Sequence, residues 1–93
     1  MIKVNHKTNQ KGGSFYYEEN GKQLAEMVYV MAGQQMIIDH TDVDPSLKGQ
    51  GIGKQLQAAL VEYVRKHQIK VIPLCPFAKA TFDRMVEWQD VLA

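Results

Sequence analysis

The sequence predicts a single domain of the α+β or α/β class, with a mixed, mainly antiparallel β-sheet and two packed helices. The chain has 93 residues, which suits one domain over residues 1–93. Strand-like stretches separated by tight turns fill its first half. After Gly51 the hydrophobic period changes from two residues to between three and four, which predicts a helix. The expected element order is therefore β-β-β-β-α-β-α.

The first strands are predicted from short stretches with turn signals between them. A short strand is expected around Ile2–Asn5, followed by a polar, glycine-bearing loop over residues 9–14. Residues 14–19 (SFYYEE) and 23–32 (QLAEMVYVMA) are strand-like. The Asn-Gly pair between them is a strong two-residue turn signal, so these two stretches are expected to form a hairpin.

The fourth strand is predicted over residues 36–43 (MIIDHTDV), after a second tight turn at Gly33. Successive side chains of a strand point to opposite faces of the sheet. Regular alternation would therefore put one set of side chains on a common face: Met36, Ile38, His40 and Asp42. The other face would carry Ile37, Asp39, Thr41 and Val43.

Two helices and one further strand are predicted in the second half. The first helix should begin after Gly51 and end near Gln68, because apolar residues recur at spacings of three and four. These are Ile52, Leu56, Ala59, Leu60, Tyr63 and Val64. Residues 69–75 (IKVIPLC) predict a buried strand, parallel to the fourth because a helix joins the two. Residues 76–89 predict the second helix, with Pro76 in its first turn.

Charge and composition argue against several function classes. The net charge is +1, so nothing indicates a nucleic-acid-binding or membrane-binding surface. No apolar run of about 18 residues predicts a membrane span. Cys75 is the single cysteine, which excludes a disulfide within the chain and agrees with a cytoplasmic location. No metal-ligand spacing is present, so no metal is expected.

Residues 43–56 (VDPSLKGQGIGKQL) place Gly49, Gly51 and Gly53 within five positions, directly before the predicted helix. A glycine-rich turn at a helix N-terminus is an anion site, because the first N–H groups lack partners and the helix dipole is positive there. The spacing fits neither a P-loop, since Gln55 follows Gly53-Lys54, nor G-x-G-x-x-G, since Lys54 occupies the last position. A tight corner without a ligand is the alternative interpretation.

The same stretch resembles the acetyl-CoA pyrophosphate loop of the general N-acetyltransferase (GNAT) superfamily. That motif has a strand valine, a proline two residues later and [RQ]-G-x-G-[IV]-G at the start of a long helix. The matching residues are Val43, Pro45, Gly49, Gly51, Ile52 and Gly53. Lys48 stands where Arg or Gln is usual and keeps the positive charge. The resemblance covers about residues 36–84. Because HTDV precedes the loop and IPLCPF follows it, the stretch resembles most specifically the very short, stand-alone members of the superfamily.

The resemblance implies a minimal GNAT fold that binds acetyl-CoA and transfers the acetyl group directly to a primary amine. Backbone N–H groups would then hold the pyrophosphate, from Lys48, Gly49, Gln50, Gly51, Ile52, Gly53 and Lys54. On the preceding strand, Thr41, Asp42 and Val43 would pair with the pantetheine arm. One of their N–H groups would point at the thioester carbonyl, where negative charge develops during transfer.

Such a transfer needs a base for the ammonium and an acid for the departing thiolate. The tyrosine that many family members use as the acid corresponds to Phe82, which has no hydroxyl. Cys75, before a helix N-terminus, is the candidate replacement, as an acid or as a nucleophile that first takes the acetyl group. His40 is the candidate base. The alternatives are a buried structural cysteine and a core or hydrogen-bonded histidine.

The acceptor site should differ from that of larger family members. The pair of N-terminal helices that forms one wall of the acceptor site in larger members has no counterpart, because residues 9–35 predict a loop and a hairpin. The resemblance therefore implies an open site for a small-molecule or protein amine, or one completed by another subunit, in a monomer or weak homo-oligomer. The alternative function is an acetyl-CoA-binding or CoA-sensing module with little catalytic activity, and a structural domain without cofactor ranks third.

Overall fold

The computed structural model of the protein describes residues 2–93 and has the predicted element order. The strands are β1 (Asn5–Thr8), β2 (Gly12–Glu19), β3 (Lys22–Ala32), β4 (Gln35–Val43) and β5 (Lys70–Pro73). The helices are α1 (Ile52–His67) and α2 (Pro76–Arg84), and 3-10 segments cover Pro45–Leu47 and Val86–Val91. The predicted mixed, mainly antiparallel sheet with two packed helices is confirmed.

The five strands lie in chain order across one sheet, β1-β2-β3-β4-β5. Each neighbouring pair from β1 to β4 is antiparallel, and β5 is parallel to β4 as the crossover helix requires. The β2–β3 turn uses Asn20 at φ 54° and Gly21 at φ 78°, the left-handed conformations that a two-residue hairpin needs. The hairpin and the parallel strand are thus confirmed.

The first strand and the loop after it differ from the prediction. β1 begins at Asn5 rather than at Ile2, and the backbone N–H of Ile2 donates instead to Oε1 of Gln55 on α1 at 3.0 Å. The loop covers only residues 9–11, since β2 already begins at Gly12. A Cβ at Gly13 would lie 2.2 Å from the carbonyl oxygen of Lys7, so glycine allows β1 to approach closely there.

α1 ends as predicted, with Gln68 in the left-handed conformation at its C-terminal cap. α2 is shorter than predicted and ends at Arg84. The side-chain amide of Gln89 donates to the carbonyl of Phe82 at 3.1 Å. The Trp88 ring packs edge-on against the Phe82 ring, with the ring centroids 6.4 Å apart. These contacts fold the chain back over the end of α2 as the 3-10 segment Val86–Val91.

The hydrophobic core lies between the helices and one face of the sheet, which we call the helix face. On β3 the buried residues Met27 and Tyr29 alternate with the partly exposed Val28 and Val30, so the opposite, helix-free face remains open to solvent. α1 contributes a stripe of buried side chains at helical spacing. They are Ile52, Leu56, Leu60, Val61 and Val64.

An aromatic cluster on the helix face joins β1 to α1, away from the glycine-rich turn. The His6 ring stacks on Phe15 with centroids 4.0 Å apart, and its Nε2 lies 2.6 Å from the hydroxyl of Tyr29. Tyr63 of α1 makes an edge contact with His6 at 4.6 Å. Burial, with a smaller contribution from nearby His67, lowers the pKa of His6, and burial raises the pKa of Tyr29 to about 12.

The C-terminal residues lie along the outer edge of β5. Arg65 at the end of α1 forms a two-point ion pair with Asp90, with the shorter N–O distance 2.6 Å. Leu92 then pairs with Val71 of β5, and the N–H of Ala93 donates to the Val71 carbonyl at 2.9 Å. None of the helices within residues 2–93 is long and apolar enough to cross a membrane.

Candidate functional site

The glycine loop (residues 48–53) begins at the end of a 3-10 turn. The Asp44 carboxylate accepts a hydrogen bond from the N–H of Ser46 at 2.9 Å and starts this turn, and the same bond lowers the pKa of Asp44. Gly49 and Gly51 then take left-handed conformations, with φ of 82° and 68°. Other residues adopt this conformation only with strain, so both glycines are required by the backbone path itself.

The loop leaves a defined set of N–H groups free for an anion. The N–H of Lys48 donates to Pro45 and that of Gln50 donates to Leu47, so these two predicted donors are used inside the turn. Gly51 is the N-terminal cap of α1, and its carbonyl accepts the first helical hydrogen bond from Gln55. The donors that remain are those of Gly49, Gly51, Ile52, Gly53 and Lys54.

Gly53 accommodates a neighbouring side chain, a role that the sequence did not indicate. It lies in the first turn of α1 with ordinary helical geometry, and a Cβ there would be 2.5 Å from Cζ of Phe77. Phe77 belongs to the first turn of α2 and is 40% exposed. The absence of a side chain at Gly53 therefore lets the N-terminal ends of the two helices approach each other.

The parallel pairing of β4 with β5 stops before the end of β4, and we call the region beyond it the β4–β5 gap. The two strands pair only from Gln35–Lys70 to Ile38–Pro73. The carbonyl of Ile38 then accepts hydrogen bonds from the N–H groups of both Leu74 and Cys75, each at 3.1 Å. Beyond Ile38, residues 39–43 pair with β3 alone among the described residues, so their other edge faces the β4–β5 gap. This segment includes Thr41, Asp42 and Val43, the residues predicted to contact the pantetheine arm.

A β-bulge at Asp39 reverses the predicted faces of this segment. Tyr29 pairs with Ile38 and the adjacent Val28 pairs with His40, so Asp39 is an extra residue in β4. As a result Thr41, opposite the buried Met27, lies on the helix face, while His40 and Asp42 lie on the helix-free face. The prediction that His40 shares a face with Met36 and Ile38 is wrong, because it assumed unbroken alternation.

His40 lies between two carboxylates on the helix-free face. Its Nδ1 is 3.5 Å from Asp39 and its Nε2 is 3.8 Å from Asp42, and its side chain is 53% exposed. It is therefore not the core histidine that the alternative interpretation described. Among the described residues it makes no hydrogen bond with Cys75, so the structure does not bring the two candidate catalytic side chains together.

Cys75 lies at the end of the β4–β5 gap, as the N-terminal cap residue of α2. Its Sγ is 3.3 Å from Oγ1 of Thr41 on β4, and the residue is 4% exposed. The structure thus joins two predicted site residues that are distant in the sequence. The burial agrees with a structural cysteine and also with a thiol kept away from bulk water beside a ligand.

Two buried residues of the helices, Phe82 and Gln57, also bear on the site. Phe82, at the position of the usual tyrosine acid, is 1% exposed and packs in the core. Gln57 of α1 is fully buried, and its side-chain amide donates to the Ala78 carbonyl of α2 at 3.1 Å. Sequence reasoning missed Gln57 and Phe77, although the four-residue spacing of Gly53, Gln57 and Val61 could have indicated a stripe facing a second helix.

Within residues 2–93, no group of three or more His, Cys, Asp or Glu side chains is arranged to hold a metal ion. The polar groups near the β4–β5 gap and the glycine loop include the Cys75 thiol, the His40 imidazole and backbone N–H groups.

Comparison with known proteins gives a family match over most of the chain. The profile of the family described as GCN5-related N-acetyl-transferase matches residues 14–91. These residues include all of the glycine loop, the bulged end of β4 and Cys75. A search of curated protein sequences finds no match.

Solved structures give similar results. A GCN5-like protein of Staphylococcus aureus, determined by NMR in solution, is 35% identical over 100% of this chain and 91% of its own, with a TM-score of 0.76. The ribosomal-protein-S18-alanine N-acetyltransferase of Escherichia coli is 21% identical, with a TM-score of 0.65. That match covers 71% of this chain but only 43% of the larger enzyme, and at this identity it supports the fold alone.

Proposed function

This chain belongs to the GCN5-related N-acetyltransferase family, and we propose that it transfers an acetyl group from acetyl-CoA to a primary amine. The observation that carries the proposal is the continuity of two features. The edge of residues 39–43 that does not pair with β3 leads, through the 3-10 segment Pro45–Leu47, into the glycine loop at the N-terminus of α1. An extended, amide-bearing arm that ends in a pyrophosphate has the shape and the charge for this path.

The glycine loop supplies the donors for the pyrophosphate. The free N–H groups of Gly49, Gly51 and the first turn of α1 are available there, and the α1 dipole adds about half a positive charge. The side chains of Lys48 and Lys54 are exposed beside the loop. We assign to Lys48 the role of a point charge, since it lacks the planar fork of arginine.

The β4–β5 gap would hold the reacting part of the molecule. An N–H group within Thr41–Val43 would stabilise the negative charge that develops on the thioester oxygen. His40 would accept a proton from the acceptor ammonium, whose nitrogen then attacks the carbonyl carbon as the carbon–sulfur bond breaks. Cys75 would donate its proton to the departing thiolate and would regain one from the second proton that the amine nitrogen loses as the amide forms. Alternatively, Cys75 would first take the acetyl group, with its own proton leaving on the CoA thiol, and would then pass the acetyl group to the amine.

Because of the bulge, His40 and Cys75 would be reached from opposite faces of the sheet. His40 lies on the helix-free face and Cys75 on the helix face, so β4 separates the proposed base from the proposed thiol. An acceptor amine would reach His40 from the open face, as a small molecule or as part of a protein. The proposed setting is the cytoplasm, where acetyl-CoA is available and a single cysteine stays reduced.

Acetyl-CoA binding is tested by thermal melting. At a hundredfold excess over Kd, a ligand that binds only the folded state stabilises by about 2.7 kcal/mol, which for a domain of this size is a shift of roughly 10 °C or more. Gly51→Glu should abolish the shift, because a carboxylate would then stand among the pyrophosphate donors. Gly33→Glu is the matched control, since Gly33 also has a positive φ of 64° but lies in the β3–β4 turn.

Each outcome of this melting experiment decides something. A shift in the wild type and in Gly33→Glu, with none in Gly51→Glu, supports the assignment of the loop. No shift in the wild type at saturating acetyl-CoA would contradict both the transferase proposal and a CoA-binding role. An equal shift in Gly51→Glu would place the ligand elsewhere.

A second candidate function is a CoA-binding module with little catalysis. The observation that favours it is Phe82, an apolar core residue at the position of the usual tyrosine acid. Release of CoA thiol, stimulated by a panel of primary amines, would favour the enzyme over the module. Intact-mass measurement after incubation with acetyl-CoA would show any acetyl adduct, and an adduct that persists in Cys75→Ala would exclude Cys75 as its carrier.

A further inference from the structure

We propose that the side-chain hydroxyl of Thr41 positions the Cys75 thiol, a role separate from that of the Thr41 backbone. The proposal rests on the function assigned above, since Cys75 takes part in chemistry only if the chain uses acetyl-CoA. Thr41 would act through Cys75 and is therefore a positioning residue. The supporting observation is the 3.3 Å contact between Sγ of Cys75 and Oγ1 of Thr41.

The backbone of Cys75 is fixed at both of its polar groups. Its N–H donates to the Ile38 carbonyl at 3.1 Å, and its own carbonyl accepts a hydrogen bond from the N–H of Lys79 at 3.0 Å. The only freedom left to the sulfur is rotation about χ1. Within residues 2–93, Thr41 is the one hydrogen-bond partner that the sulfur has, so the Thr41 hydroxyl sets its direction.

The Thr41 side chain is itself well placed to act as a fixed point. Threonine is branched at Cβ, which restricts its own χ1 rotation. The bulge at Asp39 is what turns Thr41 to the helix face, because regular alternation from Ile38 would point it away from Cys75. The irregularity in β4 thus has a specific chemical consequence, the contact between the hydroxyl and the thiol.

A hydroxyl suits a thiol that changes its protonation state. A threonine oxygen accepts a hydrogen bond from S–H, and after rotation of the hydroxyl it donates one to S⁻. The same contact can therefore hold the sulfur before and after it gives up its proton. A methyl group in the same place would do neither, although it would fill the same volume.

The experiment compares wild type with Thr41→Val, which removes the hydroxyl at constant shape, and Thr41→Ser, which restores it. Iodoacetamide is the probe for the single cysteine, with the rate read by intact mass at pH 7. We expect alkylation about tenfold slower in Thr41→Val, because the thiolate loses a charge-assisted hydrogen bond. Thr41→Ser should stay within about twofold of the wild type, and NMR couplings should show one χ1 rotamer in wild type and Thr41→Ser but averaging in Thr41→Val.

Turnover supplies the second measurement. With acetyl-CoA and an amine, Thr41→Val should lower kcat about tenfold. The KM for acetyl-CoA should stay nearly unchanged, because the variant keeps the backbone N–H of residue 41. Equal alkylation rates and a single rotamer in all three proteins would overturn the proposal. If Thr41→Val does not fold, Thr41→Ala removes the same hydroxyl without adding a methyl group and is read in the same way.

The two proposals fail in distinguishable ways. Alkylation and χ1 are measured on the protein without acetyl-CoA, so they test the Thr41–Cys75 contact whether or not the chain binds the cofactor. Absence of a melting shift with acetyl-CoA in the wild type would contradict the proposed function alone. A normal melting shift with no difference between Thr41→Val and wild type would contradict the positioning role alone.

Discussion

The glycine loop and the bulged end of β4 (Asp39–Val43) meet at the same site but are specified in different ways. The loop depends on local backbone geometry, since Gly49 and Gly51 take conformations that other residues adopt only with strain. The bulge depends on how β4 pairs with β3, through Tyr29–Ile38 and Val28–His40. The loop can therefore be predicted from a short stretch of sequence, whereas the bulge requires knowledge of the neighbouring strand.

Deletion of Asp39 should have the largest effect, because it removes the bulge and restores alternation along β4. His40, Thr41 and Asp42 would keep their partners on β3 and their faces, because the pairs after Asp39 already alternate regularly. The bend and extra twist that the bulge gives β4 would be lost, which displaces residues 40–43 relative to Cys75 and the glycine loop. We expect a loss of about 1–3 kcal/mol in the free energy of unfolding, together with loss of acetyl-CoA binding. Urea denaturation measures the first and a ligand melting shift the second.

Asp39→Ala is the control for this deletion, since it keeps the length of the strand and removes only an exposed side chain. It should remain within about 0.5 kcal/mol of the wild type. A deletion variant as stable as Asp39→Ala would mean that the bend at Asp39 contributes nothing to stability, contrary to the importance given to the bulge.

Gly51→Ala tests the local side of the comparison. A Cβ at φ 68° costs about 1–2 kcal/mol, although no other atom lies within 4 Å of the added carbon. We therefore expect a moderate loss of stability in urea denaturation from conformational strain alone. An unchanged midpoint would show that the loop relaxes to a negative φ, and the loop would then be less rigid than its geometry implies.

Gly53→Ala should have a smaller effect that depends on a partner. The added Cβ meets the end of the Phe77 ring, which can move, and alanine favours the helix by about 0.5–1 kcal/mol over glycine. A double-mutant cycle with Phe77→Ala should show coupling between the two positions, with Gly53→Ala stabilising only when the ring is absent. Additive effects would mean that the ring and Gly53 do not restrict each other.

The pH dependence of stability should show the smallest effect, and it arises far from both regions. Burial lowers the pKa of His6 below 6.5, so the folded protein prefers the neutral ring. The contribution of neutral His6 to folding stability is therefore fully present above the pKa that the ring has in the unfolded chain. It is lost as the pH falls through the lower pKa that the ring has in the folded protein. Melting between about pH 7 and 5 should show this decline.

Two variants separate the contributions to this decline. His6→Gln should flatten it, because the titrating ring is gone. His67→Gln should only weaken it, because nearby His67 is the smaller cause of the lowered pKa. A decline that is unchanged in His6→Gln would place the responsible group elsewhere.

Much of the fold and the position of the glycine loop could be predicted from the sequence. The Asn20-Gly21 turn, the period change at Gly51 and the parallel strand after α1 each follow from local rules that tertiary packing did not override. The end of α2 could not be predicted, because it is set by contacts of Trp88 and Gln89 with Phe82 rather than by helix propensity.

The arrangement of the candidate catalytic residues was less accessible to sequence reasoning. Cys75 and Thr41 were both identified, but their contact joins positions 34 residues apart and depends on the bulge. The prediction of the face on which His40 lies was wrong for the same reason, since one extra residue in β4 moves every later side chain to the opposite face of the sheet. Gly53 was identified as important, but the ring that it accommodates lies on another helix.

The C-terminal residues have a consequence for self-association. β5 is the last strand of the sheet, and the outer edge of such a strand recruits strands from other molecules when nothing covers it. Leu92 and Ala93 occupy that edge at Val71, and they are held there through the exposed ion pair of Asp90 with Arg65. Asp90 has its pKa lowered by the hydrogen bond from Arg65, so acid would neutralise the carboxylate and weaken this protection. Resistance to fibril-like aggregation should therefore decrease when acid protonates Asp90, at the opposite end of α1 from the glycine loop.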